Sequence, residues 1–310
     1  METRRMGGTG PYVSVVGLGC NNFGMKLDER QTADVVRAAL EAGITHFDTA
    51  ESYGGGRSEV FLGKALGERR GDVIVATKFA PRPSEEPYRP GALRRRILEG
   101  CEISLERLGT DHIDIYYQHR PDPEAPVLEA LEALSDLVAA GKVVHGACSN
   151  FSAKQIDEAE RVATERGTAK FVAGQIHWNL LAREAEEEIV PALRRQGMGI
   201  VPYFPLESGL LTGKYRRGQG YPEGSRLAAM PRFATRATEE TFAYLEGLTA
   251  FAETRGHSLL ELAFGWLAAQ DGVASIIAGA TTPEQVTANV GAGGAWRLSA
   301  EDIRNLPLMV

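Results

Sequence analysis

The sequence predicts a (β/α)8 barrel of the TIM type, with an N-terminal β-hairpin cap and a long loop after the seventh strand. Three observations predict this fold. Eight short apolar runs, rich in β-forming residues, alternate with amphipathic stretches whose apolar residues recur at helical spacing. Several of these stretches stop at a glycine, as at Ala42-Gly43 and Leu108-Gly109. The alternation runs without a break, so residues 1–310 are expected to form one domain.

The predicted strands share short apolar cores and cover residues 15–19, 46–50, 73–78, 113–119, 143–149, 171–176, 199–205 and 273–279. Helical spacing predicts helices that include residues 29–42, 91–107, 124–140, 153–166 and 183–196. The opening residues, up to about Ser14, have the pattern of a hairpin that would cap the bottom of the barrel. Residues 206–238 are rich in glycine and proline. A loop that long in a compact domain is usually functional, such as a binding loop or a lid.

A doubly wound Rossmann sheet is the alternative fold. Its best support is Gly17-Leu18-Gly19, at the end of the first predicted strand. The dinucleotide fingerprint GxGxxG then requires a third glycine at position 22, but Asn22 stands there and Gly24 comes two residues too late. The failed fingerprint and the eight repeated units both favour the barrel.

Composition excludes several classes of protein. Charged residues make up 24% and apolar residues 43% of the chain, as in ordinary globular proteins. The net charge of −7 indicates neither a nucleic-acid partner nor a membrane surface. The distant cysteines Cys20, Cys101 and Cys148 form no CxxC pair, which predicts a reducing, cytoplasmic compartment. No HExxH or paired Cys/His spacing is present, so no metal site is predicted.

Chemistry in such a barrel gathers at the C-terminal ends of the strands. Asp48 lies in the end of the second predicted strand and Tyr53 follows it, while Lys78 ends the third strand and His119 ends the fourth. A tyrosine has a reference pKa of about 10, and a nearby ammonium group lowers it by stabilising the phenolate. A carboxylate would hold that ammonium in place, and a histidine would orient a substrate oxygen. The set suits proton delivery to a carbonyl oxygen.

Each of these residues also has an ordinary structural interpretation. Asp48 fits a turn or helix cap, Tyr53 fits rim packing, Lys78 fits a solvated strand end, and His119 is one of six histidines. Their shared position on successive strand ends favours a functional site over four coincidences.

The segments FDTAESYG (47–54), IVATK (74–78), YYQHRPDP (116–123) and SGLLTGK (208–214), with Gly146, Ser149 and Asn150, resemble the aldo-keto reductase family. The resemblance extends from residue 13 to about residue 291. It implies that Asp48, Tyr53, Lys78 and His119 form the catalytic tetrad. Tyr53 would be the general acid, Lys78 and Asp48 would tune its pKa, and His119 would orient the substrate.

The resemblance also implies a nicotinamide cofactor, NADP(H) more often than NAD(H), bound across the rim. Ser149, Asn150 and Gln175 would hold its carboxamide, and Tyr203 would stack on its ring or, alternatively, only fill the barrel mouth. The full set of implied cofactor contacts is Gly19, Cys20, Asn21, Asp48, Ser149, Asn150, Gln175, Tyr203, Phe204, Leu206, Ser208, Gly209, Lys214, Gly279, Ala280, Thr281, Thr282, Gln285 and Asn289. Phe204 and Trp178 differ from the residues commoner in relatives.

The adenosine-end turn, residues 280–285, contains no lysine or arginine. Free N–H groups at the following helix start, with Thr282 as N-cap and Pro283 as first helical residue, would still favour a phosphate. A moderate preference for NADP(H) is therefore expected, with NAD(H) also used.

The implied activity is NAD(P)H-dependent reduction of an aldehyde or ketone, or the reverse oxidation of an alcohol. Two alternatives stay open: a cofactor-binding regulatory subunit that senses redox state with little turnover, and a barrel enzyme of unrelated chemistry. Loops 80–88, 121–125 and 206–238 would set the substrate, a small carbonyl compound or alcohol. Arg82, Tyr88, Arg120 and Arg232 would either meet a polar or anionic substrate or simply be solvated.

Overall fold

The structure is a computed structural model that describes residues 1–81 and 87–308. Its strands are β1 (Thr3–Arg5), β2 (Tyr12–Ser14), β3 (Val16–Gly19), β4 (His46–Asp48), β5 (Ile74–Phe79), β6 (Ile113–Gln118), β7 (Val143–Ser149), β8 (Phe171–His177), β9 (Gly199–Tyr203) and β10 (Ile276–Gly279). Strands β3 to β10 close into a barrel in which every neighbouring pair is parallel. The predicted (β/α)8 barrel is confirmed.

The helices of the described residues are α1 (Glu29–Glu41), α2 (Arg57–Leu66), α3 (Ala92–Leu108), α4 (Val127–Ala139), α5 (Ala153–Arg166), α6 (Ile189–Arg195), α7 (Arg226–Ala229), α8 (Glu239–Glu253), α9 (Leu259–Ala268), α10 (Pro283–Ala295) and α11 (Ala300–Arg304). Apolar side chains fill both the barrel interior, with Ile115, Tyr117 and Val201 fully buried, and the layer between strands and helices.

The N-terminal hairpin is also confirmed. β1 and β2 pair antiparallel, with Thr3 opposite Ser14. Between them, Met6 is fully buried among barrel residues, and the Gly8 N–H donates to the Gly197 carbonyl oxygen at 3.0 Å. Gly197 lies just before β9, so the hairpin covers the N-terminal end of the barrel, away from the strand ends where chemistry gathers.

Several predicted strands are shorter in the structure. β4 stops at Asp48, β6 at Gln118 and β9 at Tyr203, because the chain turns out of the barrel at these points. β10 begins only at Ile276, since Val273 makes no more than an isolated bridge to β9.

Two predicted helices also begin later than expected. The helix predicted over 124–140 starts at Val127, directly after Pro126. The one predicted over 183–196 is a short 3-10 turn, Glu184–Glu186, followed by α6. Pro191 lies in the first turn of α6, where its missing N–H removes no intrahelical bond.

The long loop contains more structure than its composition predicts. Between residues 206 and 238 it forms 3-10 turns over Glu207–Thr212 and Pro231–Arg236, with α7 between them. This segment follows β9, the seventh strand of the barrel, and therefore lies at the C-terminal rim.

Helices α2 and α3 pack unusually closely. A Cβ added to Gly63 of α2 would lie 2.2 Å from the backbone oxygen of Leu108, which ends α3. Real Cβ atoms never approach a carbonyl oxygen so closely, so the two helices would have to separate. The glycine sets their distance.

We expect Gly63→Ala to lower the free energy of unfolding by about 1–3 kcal/mol, the usual cost of overpacking. Gly294→Ala in α10 is the matched control, because a Cβ there meets nothing within 4 Å. That change should be neutral or stabilising by up to about 1 kcal/mol, since alanine favours helix. Urea unfolding of both variants measures the difference, and equal stability would contradict the close packing.

Candidate active site

The four predicted catalytic residues come together at the C-terminal rim. Asp48 is the last residue of β4, Lys78 lies in β5 and His119 directly follows β6. Tyr53 lies in the turn after β4. The Lys78 Nζ is 5.1 Å from the centre of the Tyr53 ring, and the rings of Tyr53 and His119 meet edge to face at 5.8 Å.

A buried ion pair forms the centre of this group. Lys78 is fully buried, and its Nζ donates to Asp48 Oδ2 at 2.6 Å and to the Thr49 carbonyl oxygen at 2.7 Å. The other carboxylate oxygen of Asp48 accepts from Gln175 Nε2 at 2.8 Å. Burial opposes the charge on Lys78, but Asp48 and Tyr53 outweigh it and raise the pKa of Lys78 above its ordinary value. The ammonium is therefore charged at neutral pH.

The pKa of Tyr53 differs in net direction from the sequence-based expectation. Burial raises the pKa of Tyr53, and the charge of Lys78 lowers it only in part, while Asp48 raises it further. The predicted effect of Lys78 is present but is outweighed by burial. Tyr53 consequently keeps its proton at neutral pH, as a proton donor must.

His119 is neutral at neutral pH. Burial, followed by the charge of Lys78, lowers the pKa of His119 to about 4. Its backbone N–H donates to the Phe79 carbonyl oxygen at 3.0 Å, which fixes it beside β5. A neutral imidazole offers one N–H donor and one acceptor rather than a positive charge.

The residues predicted to hold a carboxamide form a connected network. Tyr203 Oη donates to Asn150 Oδ1 at 2.8 Å, and Asn150 Nδ2 donates to Ser149 Oγ at 3.0 Å. Ser149 Oγ in turn donates to the Gln175 carbonyl oxygen at 3.0 Å. Asn150 adopts a left-handed φ of 61°, a conformation that asparagine tolerates better than most residues. Amide and hydroxyl groups of three successive strands are thus presented together.

Tyr203 has a stacking partner that the sequence did not indicate. The His177 ring lies parallel to the Tyr203 ring at 5.4 Å. His177 Nε2 donates to the Glu207 carboxylate at 2.8 Å, and Asn179 Nδ2 donates to the same carboxylate at 2.8 Å. These bonds tie the start of the long loop to the segment that contains β8.

The loop itself has a strained backbone. Phe204, Glu207 and Ser208 adopt positive φ values of 52°, 40° and 58°, and Gly209 follows at 95°. Such conformations cost about 1–3 kcal/mol each in non-glycine residues and persist where surrounding contacts impose them. Leu206, at the start of the strained turn, accepts backbone hydrogen bonds from Gly209 and Leu211. The loop is held in one shape at the rim.

Several cations gather beside this loop. Burial, Arg226 and Lys214 together lower the pKa of Lys26, and burial with Arg232 lowers the pKa of Arg226. None of these four cations forms an ion pair within the part of the chain that the structure describes. Mutually repelling cations without carboxylate partners favour an anionic ligand.

An orphaned hydroxyl lies in the same loop. Ser208 Oγ is buried and has no hydrogen-bond partner among the described residues. A buried hydroxyl without a partner is costly unless a ligand satisfies it. Together with the unpaired cations it fits the phosphates of a nicotinamide dinucleotide. The sequence predicted Ser208 and Lys214 but missed Lys26 and Arg226, which lie in different segments of the chain.

The turn after β10 has the predicted helix start. Thr282 is the N-cap of α10, its side chain accepts from the Gln285 N–H, and Pro283 is the first helical residue. The Thr281 N–H and hydroxyl both donate to Gln285 Oε1, at 2.8 and 3.1 Å. Asn289 is buried in the second turn of α10. Gly279 and Ala280 lead from β10 into this turn, and Asn22 Nδ2 donates to the Ala280 oxygen at 3.2 Å.

The first barrel strand contributes backbone to the rim. Gly19 ends β3, and the Cys20 N–H donates to the Asp48 carbonyl oxygen at 2.8 Å. Asn21 Oδ1 would lie 3.5 Å from a Cβ on Gly279, so the two segments are close neighbours. Burial raises the pKa of Cys20 well above its ordinary value, so this thiol is not a nucleophile.

Four loop residues were predicted either to meet a polar or anionic substrate or to be solvated, and the structure places them differently. Arg82 lies outside the described residues. The Tyr88 hydroxyl donates to Glu129 of α4 at 2.7 Å, which ties it to the helix layer. Arg232 lies 5.1 Å from the Phe233 ring, and Arg120 is exposed beside His119, whose pKa its charge helps to lower.

Within residues 1–81 and 87–308, no group of three histidine, cysteine or acidic side chains is arranged to hold a metal ion. The same residues contain no helix both long enough and apolar enough to cross a membrane.

Comparison with known proteins gives consistent matches. The model of the aldo/keto reductase family matches residues 15–307. An aldo-keto reductase, YhdN of Bacillus subtilis, is 36% identical over 99% of this chain and 92% of its own length. Proteins named as probable voltage-gated potassium channel β subunits are 36% identical in Oryza sativa and 33% identical in Arabidopsis thaliana. Each match covers 94% of this chain and 90% of the relative.

One histidine inside the barrel has no place in the rim chemistry. His46, at the start of β4, is fully buried, and neither of its ring nitrogens has a hydrogen-bond partner among the described residues. Burial, the largest cause, lowers its pKa to about 4. In an unfolded chain the same side chain would titrate near 6.5. The folded state therefore resists protonation, and stability is lost as pH falls from about 6.5 towards 4.

We expect His46→Leu to reduce the loss of unfolding free energy between pH 7 and pH 4.5 by about 2–3 kcal/mol. Urea unfolding at both pH values measures it. Ser275→Ala is the control, because Ser275 lies beside the same glycine, Gly17, but does not titrate. If His46→Leu lost as much stability at low pH as the wild type, His46 would not be the group responsible.

Proposed function

Because the chain belongs to the aldo-keto reductase family, we propose that it uses NADP(H) to reduce aldehydes or ketones to alcohols, or to run the reverse oxidation. The observation that carries this proposal is the fully buried ammonium of Lys78, bonded to Asp48 and lying against the Tyr53 ring. A buried charge is expensive, and here it is placed beside a protonated phenol at the mouth of a barrel.

Tyr53 is proposed as the general acid. When bound, the cofactor supplies hydride to the carbonyl carbon. Tyr53 Oη gives its proton to the carbonyl oxygen as negative charge develops there, so the products are an alcohol and a tyrosinate. Lys78 stabilises that tyrosinate through its charge, and Asp48 keeps Lys78 charged and in place. Proton uptake from solvent restores the phenol.

His119 is proposed to orient the substrate. As a neutral imidazole it can donate one hydrogen bond to the carbonyl oxygen without competing with Tyr53 as an acid. The edge-to-face contact of the two rings places both side chains next to each other at the rim.

The cofactor is proposed to lie across the rim from β8 and β9 to α10. Ser149, Asn150 and Gln175 would bind its carboxamide, since they offer donors and acceptors of matching kind. Tyr203 would stack on its ring. Ser208, Lys214 and Arg226 would bind its phosphates. The orphaned hydroxyl of Ser208 and the unpaired cations support this assignment. The substrate is proposed to be a small molecule, and three buried, unpaired cysteines fit a reducing, cytoplasmic compartment.

A second candidate function is a regulatory subunit with little turnover. It is favoured by the relatives named as potassium channel β subunits, which match nearly the whole chain. Turnover separates the two functions, because a sensor needs cofactor exchange but not rapid catalysis.

A panel of aldehydes and ketones, followed by NADPH absorbance and with alcohols run in reverse, tests the proposed function. We expect Tyr53→Phe to lower turnover at least about 100-fold, the scale of general-acid catalysis, with little change in cofactor affinity. Tyr12→Phe is the control, because Tyr12 is 68% exposed on the hairpin. Wild-type turnover close to zero throughout would favour the regulatory function, and near wild-type turnover of Tyr53→Phe would refute the mechanism.

We expect kcat/KM to favour NADPH over NADH only moderately, since the turn at residues 280–285 offers a helix N-terminus but no arginine, and the two Thr281 donors already bond to Gln285. Thr281→Arg should sharpen that preference by adding a charged donor. Thr287→Arg, one turn further along the exposed face of α10, controls for charge alone. Equal or better use of NADH by the wild type would contradict this prediction.

A further inference from the structure

The loop that carries Tyr53 contains only a short 3-10 turn, Tyr53–Gly56, which is kinked because Gly54 and Gly55 leave the helical conformation. Gly54, Gly55 and Gly56 follow Tyr53 with φ values of 59°, 66° and 89°. Three consecutive glycines in left-handed conformations have an unusually large unfolded-state entropy. The position of the Tyr53 hydroxyl therefore depends on contacts that other elements make with this loop.

Arg107, in the last turn of α3, makes such contacts on both sides of Tyr53. Its Nη1 donates to the Glu51 carbonyl oxygen at 3.1 Å, two residues before Tyr53. A Cβ added to Gly56, three residues after Tyr53, would lie 2.5 Å from the Arg107 Cζ. The guanidinium group therefore lies directly against the glycine turn.

The same guanidinium is anchored to a buried carboxylate. Arg107 Nη1 donates to Glu59 Oε2 at 3.2 Å, and the Glu59 side chain has no exposed surface. Glu59 Oε1 accepts from Thr77 Oγ1 at 2.6 Å. Thr77 directly precedes Lys78 in β5, so one chain of hydrogen bonds joins the loop of Tyr53 to the strand of Lys78. A buried carboxylate is retained only where such bonds compensate its desolvation.

A second carboxylate fastens the loop from the other side. Glu51 Oε1 accepts from the Ala80 N–H at 2.8 Å and from Arg96 of α3. The Glu51 N–H donates to the Lys78 carbonyl oxygen at 3.2 Å. Glu51 remains attached to β5 by these bonds when Arg107 is removed, which limits the expected effect to the glycine turn itself.

We propose that Arg107 and Glu59 are positioning residues that hold Tyr53 against Lys78. The inference rests on the proposed function for its catalytic consequence, but not for its structural one. Neither residue touches the reacting atoms. Loss of the guanidinium frees the glycine turn that follows Tyr53, and a displacement of about 1 Å at a reacting group costs up to about 100-fold in rate.

Three variants test the pair. Arg107→Met keeps the bulk of the side chain and removes its donors. The double change Arg107→Met with Glu59→Gln also removes the uncompensated buried charge, so that it folds if the single variant does not. Arg107→Lys keeps the positive charge but replaces the planar guanidinium with a single ammonium group. The loop and the turnover should therefore be only partly affected. Arg94→Met is the matched control on the same helix, because Arg94 pairs with Asp136 on the surface.

The first readout needs no turnover. Hydrogen exchange, followed by mass spectrometry, should be at least about tenfold faster in the segment 51–57 of Arg107→Met and of the double variant, as local opening requires. Exchange in β5 and β6 should stay unchanged, and Arg94→Met should match the wild type throughout. Unchanged exchange in segment 51–57 overturns the proposal, whatever the activity of the variants.

The second readout separates positioning from loss of folded protein. We expect kcat per folded enzyme to fall about 10–100-fold, with unchanged cofactor affinity and a larger isotope effect from 4-deuterated cofactor, as proton and hydride transfer become limiting. A lower yield of folded protein with unchanged kcat and isotope effect overturns the catalytic role. A wild type without turnover refutes the proposed function instead, and hydrogen exchange still decides whether Arg107 holds the loop.

Discussion

The ion pair between Lys78 and Asp48 is the interaction on which the rest of the site depends. Both side chains are buried inside a protein whose interior solvates charge poorly, so each charge needs a partner. The two charges compensate each other. In addition, the Thr49 carbonyl oxygen accepts from the Lys78 ammonium and the Gln175 amide donates to the Asp48 carboxylate. Once the pair exists, it fixes a positive charge at one point of the rim. Burial raises the pKa of Tyr53 and lowers that of His119, and the charge of Lys78 opposes burial at Tyr53 and adds to it at His119.

The sequence predicted the barrel and the positions of these four residues because strand ends of a parallel sheet meet at one edge. That rule requires only the hydrophobic periodicity and the order of the strands along the chain. Both can be read correctly even when the predicted bounds of each strand are wrong by a few residues. The same periodicity missed α9, which is buried on most of its surface and so lacks a clear polar face. It also missed α2, which begins directly after three glycines.

Features that depend on distances between remote segments were not predictable from the sequence. Lys26 and Arg226 are 200 residues apart, and only the folded chain brings their charges together. The net direction of the Tyr53 pKa was also missed, because a list of neighbouring charges does not contain the extent of burial. Arg107 and Glu59 look like ordinary helix residues in the sequence. Their proposed role in positioning Tyr53 becomes visible only when the folded chain brings the glycine turn next to them.

The residues proposed for chemistry lie before position 120, and those proposed to bind the nicotinamide carboxamide lie after position 148. Gln175 is where the two groups join, since its Nε2 donates to Asp48 across 127 residues of chain. The residues proposed for chemistry and those proposed to bind the carboxamide therefore cannot be redesigned independently of each other. Redesign at Gln175 would disturb proton transfer together with nicotinamide binding, whereas the turn after β10 can be altered with the tetrad left intact.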